Sequence, residues 1–411
     1  MKLTGPFWQI VTMDKLPVKG PLNDDQLEII SDGGILSDHG KIIAIGDFTE
    51  LASQIDRSTT EIEWIHGNHV ALPGLIDCHT HICYAGSRAN DYALRLAGKT
   101  YLEIAEAGGG IWNTVQKTRE ASQEELSRIT TKHADVMLKD GITTIEVKSG
   151  YGLSVAEELK MLKAIQSSET KADLIETCLA AHIRPKDFSG SNKAYLEVLT
   201  KELLPEIKRQ ELSRRVDIFI EKTAFSADEA KPYLNAAKDL GFDIVVHGDQ
   251  FSLGGSLLAV DLKARSVDHL EASDEKAIAL LGKSDVTATV LPGASLGLGL
   301  PFAPVRKLLS AGASLAIASD WNPGSAPMGD LLIQAAILGA YEKLTVTETL
   351  AGITCRAAHA LGLNDRGILK EGNMADFIAF SINDYREIIY RQGKLKPDFV
   401  WKNGNKLTFE N

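Results

Sequence analysis

The sequence has 411 residues, of which 24% are charged, 44% are hydrophobic and 6% are aromatic. This composition is typical of a folded globular protein and argues against a disordered chain. The formal net charge of -11 argues against a nucleic-acid-binding surface, because phosphate recognition needs clustered lysine and arginine. We therefore expect a small-molecule partner.

The four cysteines form no C-x-x-C pair and no regular framework, which favours reduced thiols in a cytosolic protein; they are Cys78, Cys83, Cys178 and Cys355. The N-terminal stretch MKLTGPFWQIVTMDK lacks an apolar run long enough for a signal peptide. Nowhere does the sequence contain the run of about 18 apolar residues that a membrane span requires. We expect a cytoplasmic protein without a membrane partner.

Both chain ends carry a pattern of short strands. Residues 1–66 contain apolar runs such as FWQIVTM and GKIIAIG, separated by glycine, proline and Asn-Asp turn signals. Residues 369–411 return to this pattern with ADFIAFS and PDFVWKNGNKL. The first segment predicts an antiparallel β unit, and together the two ends predict one small β-sandwich domain.

Residues 67–368 alternate strand-like runs with helical segments, which is typical of parallel βαβ units. The eight strand candidates are GLIDCHTHI, ITTIEVKSG, LIETCLAAHI, VDIFIEKTAF, FDIVVHGDQ, SVDHL, VTATVLPG and SLAIASDWN. Amphipathic segments between them start with a serine suited to an N-cap, at Ser122, Ser154 and Ser226. Eight such units predict an α/β fold with a (β/α)8 TIM-like barrel.

An open doubly wound sheet could use the same units, so the strand count alone does not decide the fold. The positions of polar residues favour the barrel, because reactive side chains there cluster at the carboxyl ends of several strands. Five of the strand candidates end in such residues, which are His79, His81, His182, His247, His269 and Asp320.

His79 and His81 are two residues apart on a predicted strand, so both side chains point to one side. An isolated H-x-H pair is common by chance. Here, however, His247 and Asp320 supply a third imidazole and a carboxylate from the opposite side of the barrel. This donor set without thiolates fits zinc, with iron or manganese as alternatives and one position open for water.

Such a site predicts hydrolysis, because a bound metal lowers the pKa of water and Asp320 can accept the proton during attack on a carbonyl or amidine carbon. His269 could hold this water or stabilise an oxyanion, and we favour that interpretation over a packed core histidine. The other histidines are interpreted as structural or solvated; they are His39, His66, His69, His133 and His359. The AGGGI stretch at 107–111 lacks the ending of a P-loop and predicts a turn.

Several stretches resemble the amidohydrolase superfamily: PGLIDCHTH, HG at His247, DHL at His269, SD at Asp320 and the late GNMADF. More specific stretches resemble the imidazolonepropionase family within it. These are SRANDYALRLAGKTYLEIAEAGGGI, IEVKSGYGLS, AAHIRP, HGDQFS, LPGASLGLG and SDWNPGSAPM. The resemblance runs almost from end to end.

The resemblance implies that one divalent metal is held by His79, His81, His247 and Asp320. It further implies a set of substrate-binding residues, which are Arg88, Tyr151, His182, Gln250, Asn322, Gly324 and Ser325. Arg88 would bind a propionate group, a role that suits a guanidinium because it matches a carboxylate bidentately. The alternative is that Arg88 is a solvated loop residue.

The activity that the resemblance implies is hydrolysis of 4-imidazolone-5-propanoate to N-formimidoyl-L-glutamate in histidine degradation, by a homodimer. Metal-activated hydroxide would attack the ring lactam carbonyl. Asp320 would carry the proton, and His269 with His182 would stabilise the oxyanion. Two alternatives are another amidohydrolase, such as a heterocycle deaminase, and a barrel that has lost catalysis.

The chain departs from the family pattern at a few positions. Gln250 stands where some members carry glutamate, and since an amide cannot act as a base we expect it only to bind. Superfamily relatives with two metals use a modified lysine near Lys222, whereas the family pattern favours a single metal with Glu221 facing the site. Cys78 stands where proline is common, and its side chain should point away from the metal.

Overall fold

A computed structural model describes residues 1–99, 103 and 108–409. The TYLEIAEA part of the longest family motif, apart from Glu103, lies outside the described residues, as does the first residue of AGGGI. The described strands are β1 (Lys2–Val11), β2 (Ile29–Asp38), β3 (Lys41–Asp47), β4 (Glu61–Trp64), β5 (Val70–Pro73), β6 (Leu75–Asp77), β7 (Ile142–Lys148), β8 (Asp173–Ala181), β9 (Arg215–Ile220), β10 (Asp243–Gly248), β11 (Ser266–His269), β12 (Thr287–Val290), β13 (Ser314–Ile317), β14 (Phe377–Phe380), β15 (Phe399–Lys402) and β16 (Asn405–Lys406).

Helices separate most of the barrel strands, and three of them begin at the serines that the sequence predicts as N-caps. The described α-helices are Phe48–Gln54, Ala89–Leu96, Ile111–Glu120, Gln123–Lys139, Val155–Gln166, Asn192–Val198, Leu204–Arg209, Ala227–Asp239, Gly255–Leu262, Glu275–Lys283, Pro292–Leu298, Val305–Ser310, Leu331–Glu342, Val346–Gly352, Cys355–Ala360 and Arg386–Tyr390. Ser122, Ser154 and Ser226 each accept a hydrogen bond from the backbone N–H three residues later. No helix of the described ranges is long and apolar enough to cross a bilayer.

The central part of the chain forms a barrel of eight parallel strands, in the order β6 to β13. All eight strand candidates of the sequence overlap these strands. Backbone hydrogen bonds beyond the strand ends join the first strand to the last: Asp320 N–H donates to His79 O at 3.0 Å, and His81 N–H to Trp321 O at 2.9 Å. The barrel prediction is confirmed, and the alternative of an open sheet is wrong because its two edges are joined.

The two chain ends form a second sheet, in the order β16-β15-β14-β5-β1-β2-β3, with β4 also paired to β1. This confirms that both termini build one β unit. The sheet is mixed rather than antiparallel, because β4 and β5 both run parallel to β1. It also includes β5, which lies beyond residue 66; the division of the chain at 66/67 and 368/369 stays a prediction.

Aromatic residues fill the core of this terminal sheet. Phe7, Phe377 and Trp401 are at most 1% exposed, and the rings of Phe377 and Trp401 stack with their centroids 4.5 Å apart. The ring of Phe7 meets both of them edge-on. Burial of such large apolar side chains is a main source of stability in a sheet of this size.

Candidate active site

Four of the predicted side chains converge at the carboxyl ends of the barrel strands. His79 and His81 follow β6, His247 lies in β10 and Asp320 follows β13, and none is more than 3% exposed. The Nε2 atom of His81 lies 3.3 Å from Nε2 of His79 and 3.4 Å from Nε2 of His247. Asp320 Oδ1 lies 3.5 Å from His79 Nε2 and 3.4 Å from His81 Nε2.

These distances fit a divalent metal. Zinc–nitrogen bonds of about 2.0–2.1 Å place the ligand atoms of a tetrahedral site about 3.3–3.4 Å apart. Each neutral imidazole has one donor and one acceptor nitrogen, so a group of Nε2 atoms that all act as acceptors cannot hydrogen-bond to one another. His79, His81 and Asp320 therefore form one group able to hold a metal, and His247 adds a third nitrogen next to His81; such donors suit zinc or a similar cation.

Two buried carboxylates orient the imidazoles from behind. Asp268 Oδ2 lies 2.7 Å from His79 Nδ1, and Asp217 Oδ2 lies 2.9 Å from His247 Nδ1. A carboxylate at Nδ1 keeps the proton there and leaves Nε2 with its lone pair for a metal. The sequence analysis missed both aspartates. The available signal was a charged residue among the apolar residues of a predicted barrel strand, since such a charge requires a partner when it is buried.

Two site residues adopt strained backbone conformations. Asp320 has a φ of 52° and His269 has a φ of 92°, the left-handed region that non-glycine residues rarely occupy. The His269 ring lies 5.4 Å from that of His247, and its Nδ1 atom lies 3.6 Å from Glu271 Oε1. Strain of this kind clusters at functional sites. His269 thus lies beside the metal-ligand cluster, and its catalytic role stays a prediction.

A cavity of about 300 Å³ is lined by three of these four residues, His81, His247 and Asp320. Every predicted substrate-binding residue lines it, namely Arg88, Tyr151, His182, Gln250, Asn322, Gly324 and Ser325. The sequence analysis missed Arg95 and Lys99, which line the same cavity. In a protein of net charge -11, a cavity edge with three cationic side chains favours an anionic ligand.

Arg88 is held in place by an aspartate and a glycine. Its Nε donates to Asp91 Oδ2 at 2.6 Å, and that oxygen also accepts the backbone N–H of Gly110 at 2.8 Å. A Cβ at Gly324 would lie 3.0 Å from Arg88 Nη1, so a side chain at that position would crowd the guanidinium. Asp91 therefore fixes one edge of the guanidinium, and the remaining donors are available to the cavity.

Asn322 is engaged by its own loop. Its Nδ2 donates to Asp320 O at 2.7 Å, and its Oδ1 accepts the backbone N–H groups of Gly324 and Ser325, each at 2.8 Å. Ser325 Oγ lies 3.5 Å from Asp320 Oδ2. Asn322 therefore shapes the wall that carries Gly324 and Ser325, while direct contact with a substrate stays a prediction.

His182 has its tautomer set by the backbone. Its Nδ1 lies 3.0 Å from Gly150 O, and a carbonyl can only accept, so the proton is on Nδ1. Burial, together with the nearby His247, lowers the pKa of His182 to about 4. The neutral ring presents Nε2 as an acceptor. An acceptor cannot donate to an oxyanion, so this tautomer favours a substrate-binding role for His182; its catalytic role stays a prediction.

Glu221 does not line the cavity, contrary to the expectation that it faces the site. Its Oε2 accepts the backbone N–H groups of Phe251 and Ser252, each at 3.0 Å. Both hydrogen bonds hold the loop that carries Gln250. Lys222 is exposed, so it cannot serve as a buried ligand between two metals. The Glu221 carboxylate therefore stabilises the neighbouring loop, because two backbone N–H groups of that loop donate to it.

The four cysteines are free; Cys78, Cys83 and Cys178 are buried, and Cys355 is partly buried. Cys78 packs in an apolar cluster with Leu291, Ala294 and Ala318. Its side chain therefore points away from the metal-ligand cluster, as the alternation along the strand predicts.

Comparison with known sequences identifies close relatives. The amidohydrolase family matches residues 70–407. The imidazolonepropionase of Deinococcus deserti is 42% identical over 342 residues, which cover 83% of this chain and 85% of that protein. The imidazolonepropionase of Bacillus cytotoxicus is 38% identical over 405 residues, which cover 97% of this chain and 94% of that protein.

Solved structures share the fold at much lower identity. A mutant of atrazine chlorohydrolase from Arthrobacter aurescens, complexed with zinc and atraton, is 17% identical and superposes with a TM-score of 0.68. The superposition covers 99% of this chain and 95% of that chain. An adenosine deaminase from Xanthomonas campestris with bound zinc is 17% identical with a TM-score of 0.70 and covers 98% and 92%. From the family match and the sequence relatives, the chain belongs to the amidohydrolase family and, within it, to the imidazolonepropionases.

Proposed function

We propose that this protein hydrolyses 4-imidazolone-5-propanoate to N-formimidoyl-L-glutamate, opening the ring at its lactam C–N bond. The observation that carries the proposal is that His81, His247 and Asp320 line one cavity with the Arg88 guanidinium, while His79 lies directly behind them, 3.3 Å from His81. A cyclic amide with a carboxylate side chain presents both features that such a cavity recognises. The sequence relatives support the same activity.

Asp320 is the proton carrier in this proposal. A divalent metal held by His79, His81, His247 and Asp320 supplies activation of water and polarisation of the substrate carbonyl. Asp320 directs Oδ1 toward the metal ligands, and among the described residues the hydrogen-bonding neighbour of Oδ2 is Ser325 Oγ, at 3.5 Å. This second oxygen is free to accept a proton from the attacking water and to return it to the leaving nitrogen.

His182 and His269 have different roles in this proposal, one in substrate binding and the other in oxyanion stabilisation. His182, with an acceptor at Nε2, is suited to bind a ring N–H of the substrate. His269 lies against the metal ligands, with its ring 6.0 Å from that of His79. It is the better placed of the two to donate to the developing oxyanion, a contribution often worth about 3–4 kcal/mol per donor.

Arg88 binds the propionate, with Tyr151 and Gln250 beside the ring and the loop of Asn322, Gly324 and Ser325 as the opposite wall. The Asp91 contact at 2.6 Å orients the guanidinium for a two-point contact with a carboxylate. Arg95, whose Nη2 donates to Gly324 O at 3.1 Å, adds positive charge on the same side of the cavity.

We propose zinc as the metal, with iron as the alternative, because three nitrogens and one oxygen without thiolate suit both ions. We further propose a homodimer in the cytoplasm, as the family resemblance implies. Metal analysis of the purified protein and its mass in solution test these two points separately.

The test of the function is an absorbance assay that follows loss of the imidazolone chromophore, with and without a chelator. We expect turnover that the chelator abolishes and zinc restores, with formimidoylglutamate as the product. The second candidate, a heterocycle deaminase with the same ligand set, would release ammonia instead. A zinc-loaded protein that leaves the substrate intact would contradict the proposal.

A further inference from the structure

A cluster of charged residues lies inside the barrel behind the metal ligands. It comprises Glu146 and Lys148 on β7, Asp217 on β9 and Asp268 on β11, and each is at most 1% exposed. Lys148 Nζ lies 2.8 Å from Glu146 Oε2, 2.9 Å from Asp217 Oδ2 and 3.7 Å from Asp268 Oδ2. A buried ammonium without such partners would be very costly.

The ammonium faces the same two oxygens that orient the imidazoles, in contact with Asp217 Oδ2 and within ion-pair range of Asp268 Oδ2. Asp217 Oδ2 lies 2.9 Å from His247 Nδ1, and Asp268 Oδ2 lies 2.7 Å from His79 Nδ1. One lysine thus connects two predicted metal ligands that are 168 positions apart in the chain, through one carboxylate on each side. Glu146 is the third carboxylate beside the Lys148 ammonium, and its Oε2 atom contacts Lys148 rather than a histidine.

We propose that Lys148 is a positioning residue of the metal centre, which holds Asp217 and Asp268 in the orientations that direct His247 and His79 at the metal. The inference rests on the metal site of the proposed function. Without the ammonium, three carboxylates would face one another in a region of low dielectric, and mutual repulsion would turn them away from the imidazoles. Loss of such outer partners typically weakens metal binding about 10- to 100-fold.

The competing explanation is that Lys148 only neutralises buried negative charge and so stabilises the fold. Arg215 provides an internal comparison, because it is a second buried cation of the same cluster. Its Nε lies 3.3 Å from Glu146 Oε1 and from Thr177 Oγ1, and its Nη1 donates to Leu361 O. These partners carry no contact to a predicted metal ligand.

The experiment compares Lys148→Met with Arg215→Met in the full-length protein. Zinc affinity is measured by competition with a chromophoric chelator, and the thermal midpoint is measured on the metal-free forms. We expect both variants to unfold at lower temperature. Only Lys148→Met should weaken zinc binding, by about 10- to 100-fold.

A spectroscopic readout follows the ligand geometry directly. Cobalt(II) in the wild-type site and in Arg215→Met should give the same visible bands, whereas Lys148→Met should shift them. Equal zinc affinities and unchanged cobalt bands in Lys148→Met would overturn the proposal. A wild-type protein that binds no zinc would instead overturn the metal site of the proposed function.

A charge-matched double variant covers the case in which Lys148→Met does not fold. Lys148→Met combined with Glu146→Gln removes one positive and one negative charge, so the net charge of the cluster is kept. If Lys148 only balances charge, this variant binds zinc as tightly as the wild type. If Lys148 positions the two aspartates, zinc binding stays weakened, and Lys148→Arg recovers part of it.

Discussion

The terminal sheet and the interior of the barrel use burial in opposite ways. The terminal sheet buries Phe7, Phe377 and Trp401, whose apolar rings gain free energy when they leave water. The barrel interior buries Lys148 and Asp217, charged groups that lose their hydration. Only close partners of opposite charge offset this cost. One region gains stability from burial, whereas the other uses burial to fix the directions of functional groups.

Two residues at the barrel mouth also adopt left-handed backbone conformations. His269 and Asp320, beside the metal ligands, have φ values of 92° and 52°. Asp320 is held there by its N–H, which donates to His79 O at 3.0 Å. Such conformations persist only where the surroundings enforce them. The comparison predicts that substitutions at the barrel mouth reduce activity more than stability, and substitutions in the terminal sheet do the reverse.

The largest effect on activity is expected for Asp320→Asn. The amide keeps the size of the side chain but cannot accept a proton, so kcat should fall about 1,000-fold or more. Circular dichroism should show a folded barrel. The control is Asp285→Asn, since the Asp285 side chain is fully exposed and should not affect kcat. Near-normal turnover in Asp320→Asn would remove its role as proton carrier.

Trp401→Ala tests the other side of the comparison. Removal of this buried ring from its contacts with Phe7 and Phe377 should lower the free energy of unfolding by about 3–5 kcal/mol. Denaturant titration measures the loss, and kcat/KM of the folded fraction should stay near the wild-type value. Trp8, which is 44% exposed, supplies the control Trp8→Ala with a loss below about 1 kcal/mol. A large fall in kcat/KM of folded Trp401→Ala would break the separation between the two regions.

Arg88→Gln should act mainly on substrate binding. A hydrogen bond between charged groups contributes about 1.5–3 kcal/mol, so kcat/KM should fall about 10- to 100-fold, chiefly through KM. Lys117→Gln is the control, because Lys117 pairs with Glu120 on the surface and does not line the cavity. Unchanged kinetics in Arg88→Gln would show that the propionate binds elsewhere.

The smallest effect is expected for Ser226→Ala, on the outside of the barrel. Ser226 and Glu229 form a capping box at the start of the helix Ala227–Asp239. Loss of the hydroxyl should cost about 1 kcal/mol of stability and leave kcat unchanged. Thermal unfolding measures it, and Ser226→Thr, which keeps a hydroxyl, should lose less. A change in kcat would mean that the outer helices are coupled to the mouth.

Much of the fold and of the site could be predicted from local patterns. The eight barrel strands, the serine caps and the direction of Cys78 follow from side-chain alternation and capping chemistry, which operate within a few residues. The H-x-H spacing indicated two imidazoles on one side of the chain. The convergence of His247 and Asp320 followed from the rule that polar strand ends meet at the barrel mouth.

Other features depend on residues that only the folded barrel brings together. The proximity of Lys148 to Asp217 and Asp268 could not be predicted, because the three residues come from three different strands. Which side chains meet inside the barrel depends on the register of those strands. The use of Glu221 by a neighbouring loop and the parallel pairing of β4 and β5 with β1 were likewise not predicted.

By itself, the sequence determined the alternation of strands and helices, the apolar faces and the identity of the groups able to bind a metal, because these depend on residue chemistry and short-range periodicity. The tertiary structure alone decided which carboxylate faces which imidazole and which histidine nitrogen carries the proton. Those choices depend on distances of about 3 Å between atoms of different strands, where hydrogen bonding and charge interactions act.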